Sequence, residues 1–174
     1  PILKIGGMQL FQSEFSSKED KVLPRTTKIA TGIGLVYLFL TIICSLLLYF
    51  SGMSYFDSIA HGMTIIATGG FSTKNMSIGF FDSIATELIT IFFMILSSLP
   101  FILLFQFLRG KVKDLFLSSQ VQFFCIIVTT VTFVVALWLK RYYEVDFLQS
   151  LRISTFAVVS ISTGSGFSTY DFSV

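Results

Sequence analysis

The tetrapeptide Gly-Phe-Ser-Thr occurs twice in this chain, at 70–73 and at 166–169, 96 positions apart. Each copy closes an apolar run too short to cross a bilayer, and each such run follows a charge-free stretch long enough to cross one. Few folds accommodate that order. A half-length helix that enters hydrocarbon and turns back as small-residue extended backbone exposes carbonyls at membrane depth. Such backbone is tolerated only where it is buried in protein or lines a wet cavity. Membrane proteins use the construction for ion selectivity filters. A lone Gly-Gly-Phe after an apolar run reads as an ordinary loop between helices. Two copies with the same wording, the same topology and independent helix caps predict re-entrant pore loops instead.

Composition sets the class. Of 174 residues, 53% are apolar and 13% charged, against about a quarter charged in soluble domains. Three uncharged stretches predict crossings: Ile29–Met53, Leu88–Leu108 and a third within Leu115–Leu139. Each covers about 30 Å of hydrocarbon at 1.5 Å per residue. Pro100 should kink the second, and Trp138, Tyr142 and Tyr143 mark an interfacial end of the third. The net charge of +2, carried by basic residues in loops, gives no reason to expect nucleic acid as a partner. Cys44 and Cys125 lie inside apolar spans and read as small hydrophobes without a disulfide. With three crossings, residues 1–28 and 109–114 share one side. That side carries eight Lys and Arg against four on the other, which places it in the cytoplasm and opens both hairpins outward.

The half-helices have their own start and stop signals. Ser54 with Asp57 forms a capping pattern opening a helix over Tyr55–Ile66, about 18 Å long. That helix must end at Ala67-Thr68-Gly69-Gly70. Asp146 with Gln149 forms a second capping pair, for a helix over Phe147–Ile161 that ends at Ser162-Thr163-Gly164-Ser165-Gly166. Phe56 precedes Gly70 by 14 residues and Phe147 precedes Gly166 by 19, so the second half-helix is longer or docked differently. Both helix C-termini, each about half a negative charge, favour a cation at the hairpins. Other polar residues have plainer readings. His61, the one histidine, is expected to pack rather than ligate a metal. Asp57 and Asp82 read as caps and dipole partners, and Glu87 as first-turn dipole compensation. Thr129, Thr130 and Thr132 should bond back to their own helix. The runs at 18–21 and 109–113 read as solvated loops, with partner docking as the alternative.

Several of these residues also carry a resemblance. Gly-Gly-Met-Gln-Leu at 6–10, Gly52-Met53 with Phe56-Asp57, and Ala67-Thr68-Gly69-Gly70-Phe71-Ser72-Thr73 resemble the TrkH branch of the Trk/Ktr/HKT potassium transporter superfamily. The stretch from Ser160 through Gly166-Phe167-Ser168-Thr169-Tyr170-Asp171-Phe172 is similar to the next filter of the same proteins. The resemblance implies an all-α integral membrane protein of helix–pore-loop–helix repeats around a pseudo-fourfold pore, with re-entrant half-helices and extended selectivity-filter hairpins. It divides the chain into 1–27, the end of a preceding repeat's inner helix plus a cytoplasmic loop; 28–108, a complete repeat; 109–114, a cytoplasmic loop; and 115–174, a repeat cut after its filter. Filter carbonyls are then expected from Ala67, Thr68, Gly69 and Gly70 and from Thr163, Gly164, Ser165 and Gly166, flanked by Phe71 and Phe167. Potassium is the transported ion, and no cofactor is implied. The implied partners are the remaining repeats, a second copy in a homodimer, a cytoplasmic nucleotide-binding regulatory subunit of the TrkA type, and the bilayer. The implied location is the cell inner membrane, as a multi-pass protein.

The function expected is potassium uptake through backbone carbonyls, with the chain a partial copy of the transporter. Two alternatives stay open. A symporter coupled to Na+ or H+ would want an intramembrane carboxylate, for which the spans offer only Glu87 at an edge. A non-conducting truncated scaffold would have no need of glycine at both 70 and 166. An intramembrane hydrolase lacks a paired nucleophile and base, so no enzyme is expected.

Overall fold

The computed structural model describes residues 26–143 and 146–170. The described residues form helices α1 (Thr26–Phe50), α2 (Tyr55–Ile66), α3 (Ile84–Ser98), α4 (Phe101–Leu108), α5 (Val112–Leu117), α6 (Ser119–Tyr143) and α7 (Phe147–Ser162). A 3-10 turn, Ser77–Phe81, lies between α2 and α3. The stretch at 6–10 that enters the family resemblance lies outside the described residues, as do Asp171 and Phe172.

Among the described residues two helices are each long and apolar enough to cross a membrane. Ala30–Phe50 within α1 has a mean hydropathy of 2.5, and α6 one of 2.2. Their outer faces expose Leu35, Leu38, Phe39, Ile42, Phe123, Ile126 and Val134, the pattern of helices solvated by lipid rather than water. Trp138 and Tyr142 stack at 5.5 Å near the end of α6, followed by exposed Tyr143, where interfacial aromatics belong.

The second expected span is not one helix. The stretch splits into α3, about 22 Å long, and α4, bent from it by 102°. Pro100 sets the place of the break, as expected, and the residue before it sets the size. Proline excludes helical backbone from its predecessor, so Leu99 is extended (ψ 149) and Pro100 itself follows at ψ 118. Two extended residues in a row redirect the chain rather than kink it. The third span is displaced too. Residues 112–117 form α5, and α6 runs past the expected end to include Lys140 and Arg141. Charge boundaries mark the uncharged stretch, whereas the helix itself continues through Lys140 and Arg141 to Tyr143.

The main core joins α1, α2, α3 and α7 through Cys44, Leu48, Ile65, Phe93, Met94, Phe156 and Val159. A second cluster packs α4 and α5 against α1 and the start of α6, through Val36, Leu103, Leu104, Leu115 and Val121. Gly62 lets α2 lie directly on α1: a Cβ there would collide with the Ser45 hydroxyl and stand 3.1 Å from the Ser45 Cα. Cys44 is buried and Cys125 exposed, both as free thiols.

Candidate filter hairpins

Ser54 caps α2 as expected, accepting from the Asp57 N–H at 3.1 Å, while its hydroxyl donates to Asp57 Oδ2 at 2.9 Å. The second capping pair does not form. Asp146 holds the N-cap position of α7 without a side-chain bond, and Gln149 reaches toward the Tyr170 hydroxyl instead. Asp82 does not cap α3 either. It closes the 3-10 turn in left-handed backbone (φ 41), and Ser83 supplies the cap.

At their C-terminal ends the two half-helices end alike, residue for residue. Ala67 donates to Met63 O and Thr163 to Val159 O; Thr68 to Ile65 O and Gly164 to Ile161 O; Gly69 to Thr64 O and Ser165 to Ser160 O. Each bond recurs after 96 positions. Positive φ recurs with them, at Thr68 (51) and Gly164 (71), and at Gly70 (68) and Gly166 (73). A hydroxyl on the helix then pins the return of the chain: Thr64 Oγ1 donates to Phe71 O at 2.9 Å, and Ser160 Oγ to Phe167 O at 2.7 Å. The repeat therefore reaches back beyond Gly-Phe-Ser-Thr to the hydroxyl six residues before each glycine. The extra length of α7, 16 residues against 12, lies at its N-terminal end, away from the hairpin.

The eight expected carbonyl residues sit on these two hairpins. Among the described residues nothing donates to the carbonyls of Thr68, Gly69, Gly70, Thr163, Gly164, Ser165 or Gly166, whereas Ala67 O accepts from the Thr68 hydroxyl. The hairpins touch: a Cβ on Gly70 would collide with the Ser165 carbonyl oxygen. The flanking phenylalanines part company. Phe167 is 3% exposed, packed in the main core with its ring 6.3 Å from His61, while Phe71 is 77% exposed.

His61 is fully buried, as a packing residue should be, and both ring nitrogens are engaged. Nδ1 lies 2.7 Å from Asp57 O, which can only accept, so Nε2 is left to accept from the Ser72 hydroxyl at 2.9 Å. Among the described residues no three His, Cys, Asp or Glu gather at a metal-binding distance. Asp57 is more than a cap. Its Oδ1 accepts from Thr73 Oγ1 at 2.6 Å, and Lys74 Nζ lies 3.4 Å from Oδ2. The Thr73 hydrogen bond is the largest influence holding this carboxyl below its ordinary range, helped by Ser54 and Lys74 and opposed by burial. Glu87 joins α3 to α7. Arg152 on α7 grips it in a fork, Nε to Oε2 at 2.8 Å and Nη2 to Oε1 at 3.2 Å. Neither role was legible beforehand, because the partners lie 16 and 65 residues away. Thr132 does not bond back to its helix. Its hydroxyl, with those of Ser150 and Ser154, is buried without a partner among the described residues.

These hairpins can be set beside known proteins. A family model described as TrkH, a cation transport protein, matches residues 1–174. The Trk system potassium uptake protein TrkH of Halomonas elongata is 39% identical over 178 residues, covering 99% of this chain and 36% of its own length. The protein of the same name from Escherichia coli K12 is 36% identical, covering 97% and 36%. The crystal structure of the potassium transporter TrkH from Vibrio parahaemolyticus superposes with a TM-score of 0.80 at 35% identity, over 87% of this chain and 33% of that one. The chain spans about a third of the length of the relatives it matches. A match along its whole length, together with these relatives, places the chain in the TrkH family of cation transport proteins.

Proposed function

We propose that this chain supplies two filter hairpins of a potassium uptake pore in a cell inner membrane, with the ion moving down its electrochemical gradient. The observation that carries the reading is the row of carbonyls without donors on two touching hairpins, each at the C-terminal end of a half-length helix. Unpaired carbonyls at membrane depth are costly unless they replace an ion's hydration shell or meet water. The two helix C-termini add negative potential at the same place. The names of the relatives point to potassium as the ion.

The remaining repeats would complete the ring. Phe167 packs onto the repeat before it, and the same operation turns exposed Phe71 toward a repeat preceding this one. Glu87, the carboxylate that coupled symport would use, is committed to Arg152, which favours an uncoupled path. A homodimer and a nucleotide-binding regulatory subunit complete the proposal, the latter docked at Arg109, Lys111 and Lys113 on the cytoplasmic side. Charge reversal at those three residues should abolish co-purification of such a subunit; an intact complex would leave them as topology signal alone.

The test of the pore is Gly70→Ser in the full-length protein. Position 70 combines positive φ with a neighbouring carbonyl where a side chain would stand, so potassium (or rubidium) uptake should fall or its selectivity over sodium relax, with membrane insertion unchanged. Wild-type rate and selectivity would remove Gly70 from the filter.

A further inference from the structure

Among the described residues the return strand of the second hairpin lacks the counterparts of the Asp57 and His61 bonds that hold the first; its own helix reaches it only through Gln149 Nε2, 3.5 Å from the Tyr170 hydroxyl. Counting 96 residues on from Asp57 and His61 leads to Ile153 and Ala157, whose side chains can neither donate nor accept. The backbone of Ser168 is held from the neighbouring repeat instead. Its N–H donates to Ser77 Oγ at 3.3 Å, and its carbonyl accepts from the Gly79 N–H at 3.2 Å. Both donor and acceptor of one residue are thus taken by the 3-10 turn that follows the first hairpin.

That turn is itself well fixed. Ile78 is buried in the main core at 1% exposure, and left-handed residues stand at Ser77 (φ 53) and just after the turn at Asp82 (φ 41). Non-glycine residues adopt this conformation only when the surroundings over-determine it. Contact with the second hairpin is tight. A Cβ on Gly79 would stand 2.5 Å from the Thr169 carbonyl oxygen, 3.0 Å from its carbonyl carbon and 3.2 Å from its Cα. All three are backbone atoms, so no side-chain rotation relieves the clash.

We infer that Ser77 and Gly79 are positioning residues for the neighbouring repeat: the turn after one filter hairpin sets the backbone register of the next. The inference rests on the reading of the hairpins as a cation path. It makes the second hairpin's geometry a property of the junction between repeats, and it predicts that selectivity can be altered by residues that touch no ion.

Gly79→Ala is the direct test, because the backbone of Gly79 lies outside the left-handed region and alanine brings no strain of its own there. The full-length protein in proteoliposomes is assayed for rubidium and sodium flux, with Gly70→Ser measured in parallel. Gly79→Ala should lower rubidium over sodium discrimination by about fivefold or more, equivalent to about 1 kcal/mol between the two ions. Ser77→Ala should shift it the same way by less, and the double variant no further than Gly79→Ala alone. If Gly70→Ser changes selectivity while Gly79→Ala leaves it at wild type, the inference is wrong and the pore reading stands. If both are silent, both are wrong. Should Gly79→Ala not insert, Ser77→Ala, which removes one hydroxyl, decides: a shift supports the inference and wild-type discrimination overturns it.

Discussion

The two hairpins reach one backbone shape by different anchorage. Their turns share the three backbone bonds that end each helix and the hydroxyl that pins the phenylalanine carbonyl, and the second adds a long bond from the Gly166 N–H to Ser160 O at 3.4 Å. Their return strands differ. The first is tied to its own helix, Thr73 and Lys74 on Asp57 and Ser72 on His61. The second is tied mainly to the 3-10 turn that follows the first hairpin, through Ser77 and Gly79, with one long bond to its own helix, from Gln149 Nε2 to the Tyr170 hydroxyl at 3.5 Å. The lesson is a division of labour. Local residues with access to positive φ define the turn, and whatever polar groups lie alongside hold the strand that leaves it. A repeat can therefore change its anchorage without changing its turn.

The largest effect that would test this asymmetry is at Asp57. Asp57→Ala removes one partner from Ser54, Thr73 and Lys74 together, which should cost about 2 kcal/mol. Amide hydrogen exchange should speed up over 71–76 and stay unchanged over 167–170; equal loosening of both strands would end the claim of separate anchorage. The pH dependence has a definite sign. A carboxyl held below its unfolded value contributes stability that is complete above the ordinary carboxylate range and is lost as pH falls through the folded value. Asp57→Asn should flatten that acid limb in a melting series. An unaltered limb would mean that the loss arises elsewhere.

A smaller change is expected from His61→Phe, which keeps a ring against Phe81 and Phe167 but removes the acceptor for Ser72. The expected loss is about 1 kcal/mol, again confined to exchange in the first return strand. The smallest effect should be a gain. Thr68 holds φ 51 where its counterpart, Gly164, is glycine, and left-handed backbone costs a non-glycine residue about 1–2 kcal/mol. Thr68→Gly, offset by glycine's unfolded-state entropy, should raise the melting temperature slightly. A clear fall would mean that the Thr68 hydroxyl on Ala67 O contributes more than the strain costs.

Much of this was legible in the sequence because it is local. The Ser54 cap and the extents of the two half-helices follow from capping patterns, glycine and charge boundaries; the spacing left the second half-helix either longer or docked differently, and it is longer. The misses are non-local, or lie where a single residue controls direction. Asp146 and Gln149 have the wording of a capping pair, yet Gln149 finds Tyr170. Leu99 and Pro100 mark a break in composition, but only backbone geometry turns a kink into a bend of 102°. The Glu87–Arg152 pair is 65 residues apart in the chain, and no pattern in either helix announces it. Thr64 and Ser160 were in reach: extending the 96-residue comparison six positions before each glycine would have found both hydroxyls.

The central claim is that Thr68–Gly70 and Gly164–Gly166 face one cation path. Crystals of the full-length protein grown with rubidium, measured by anomalous diffraction, test it most directly. The account predicts anomalous peaks coordinated by carbonyl oxygens from both hairpins. Rubidium bound elsewhere, with these carbonyls hydrogen-bonded to other parts of the protein, would contradict it.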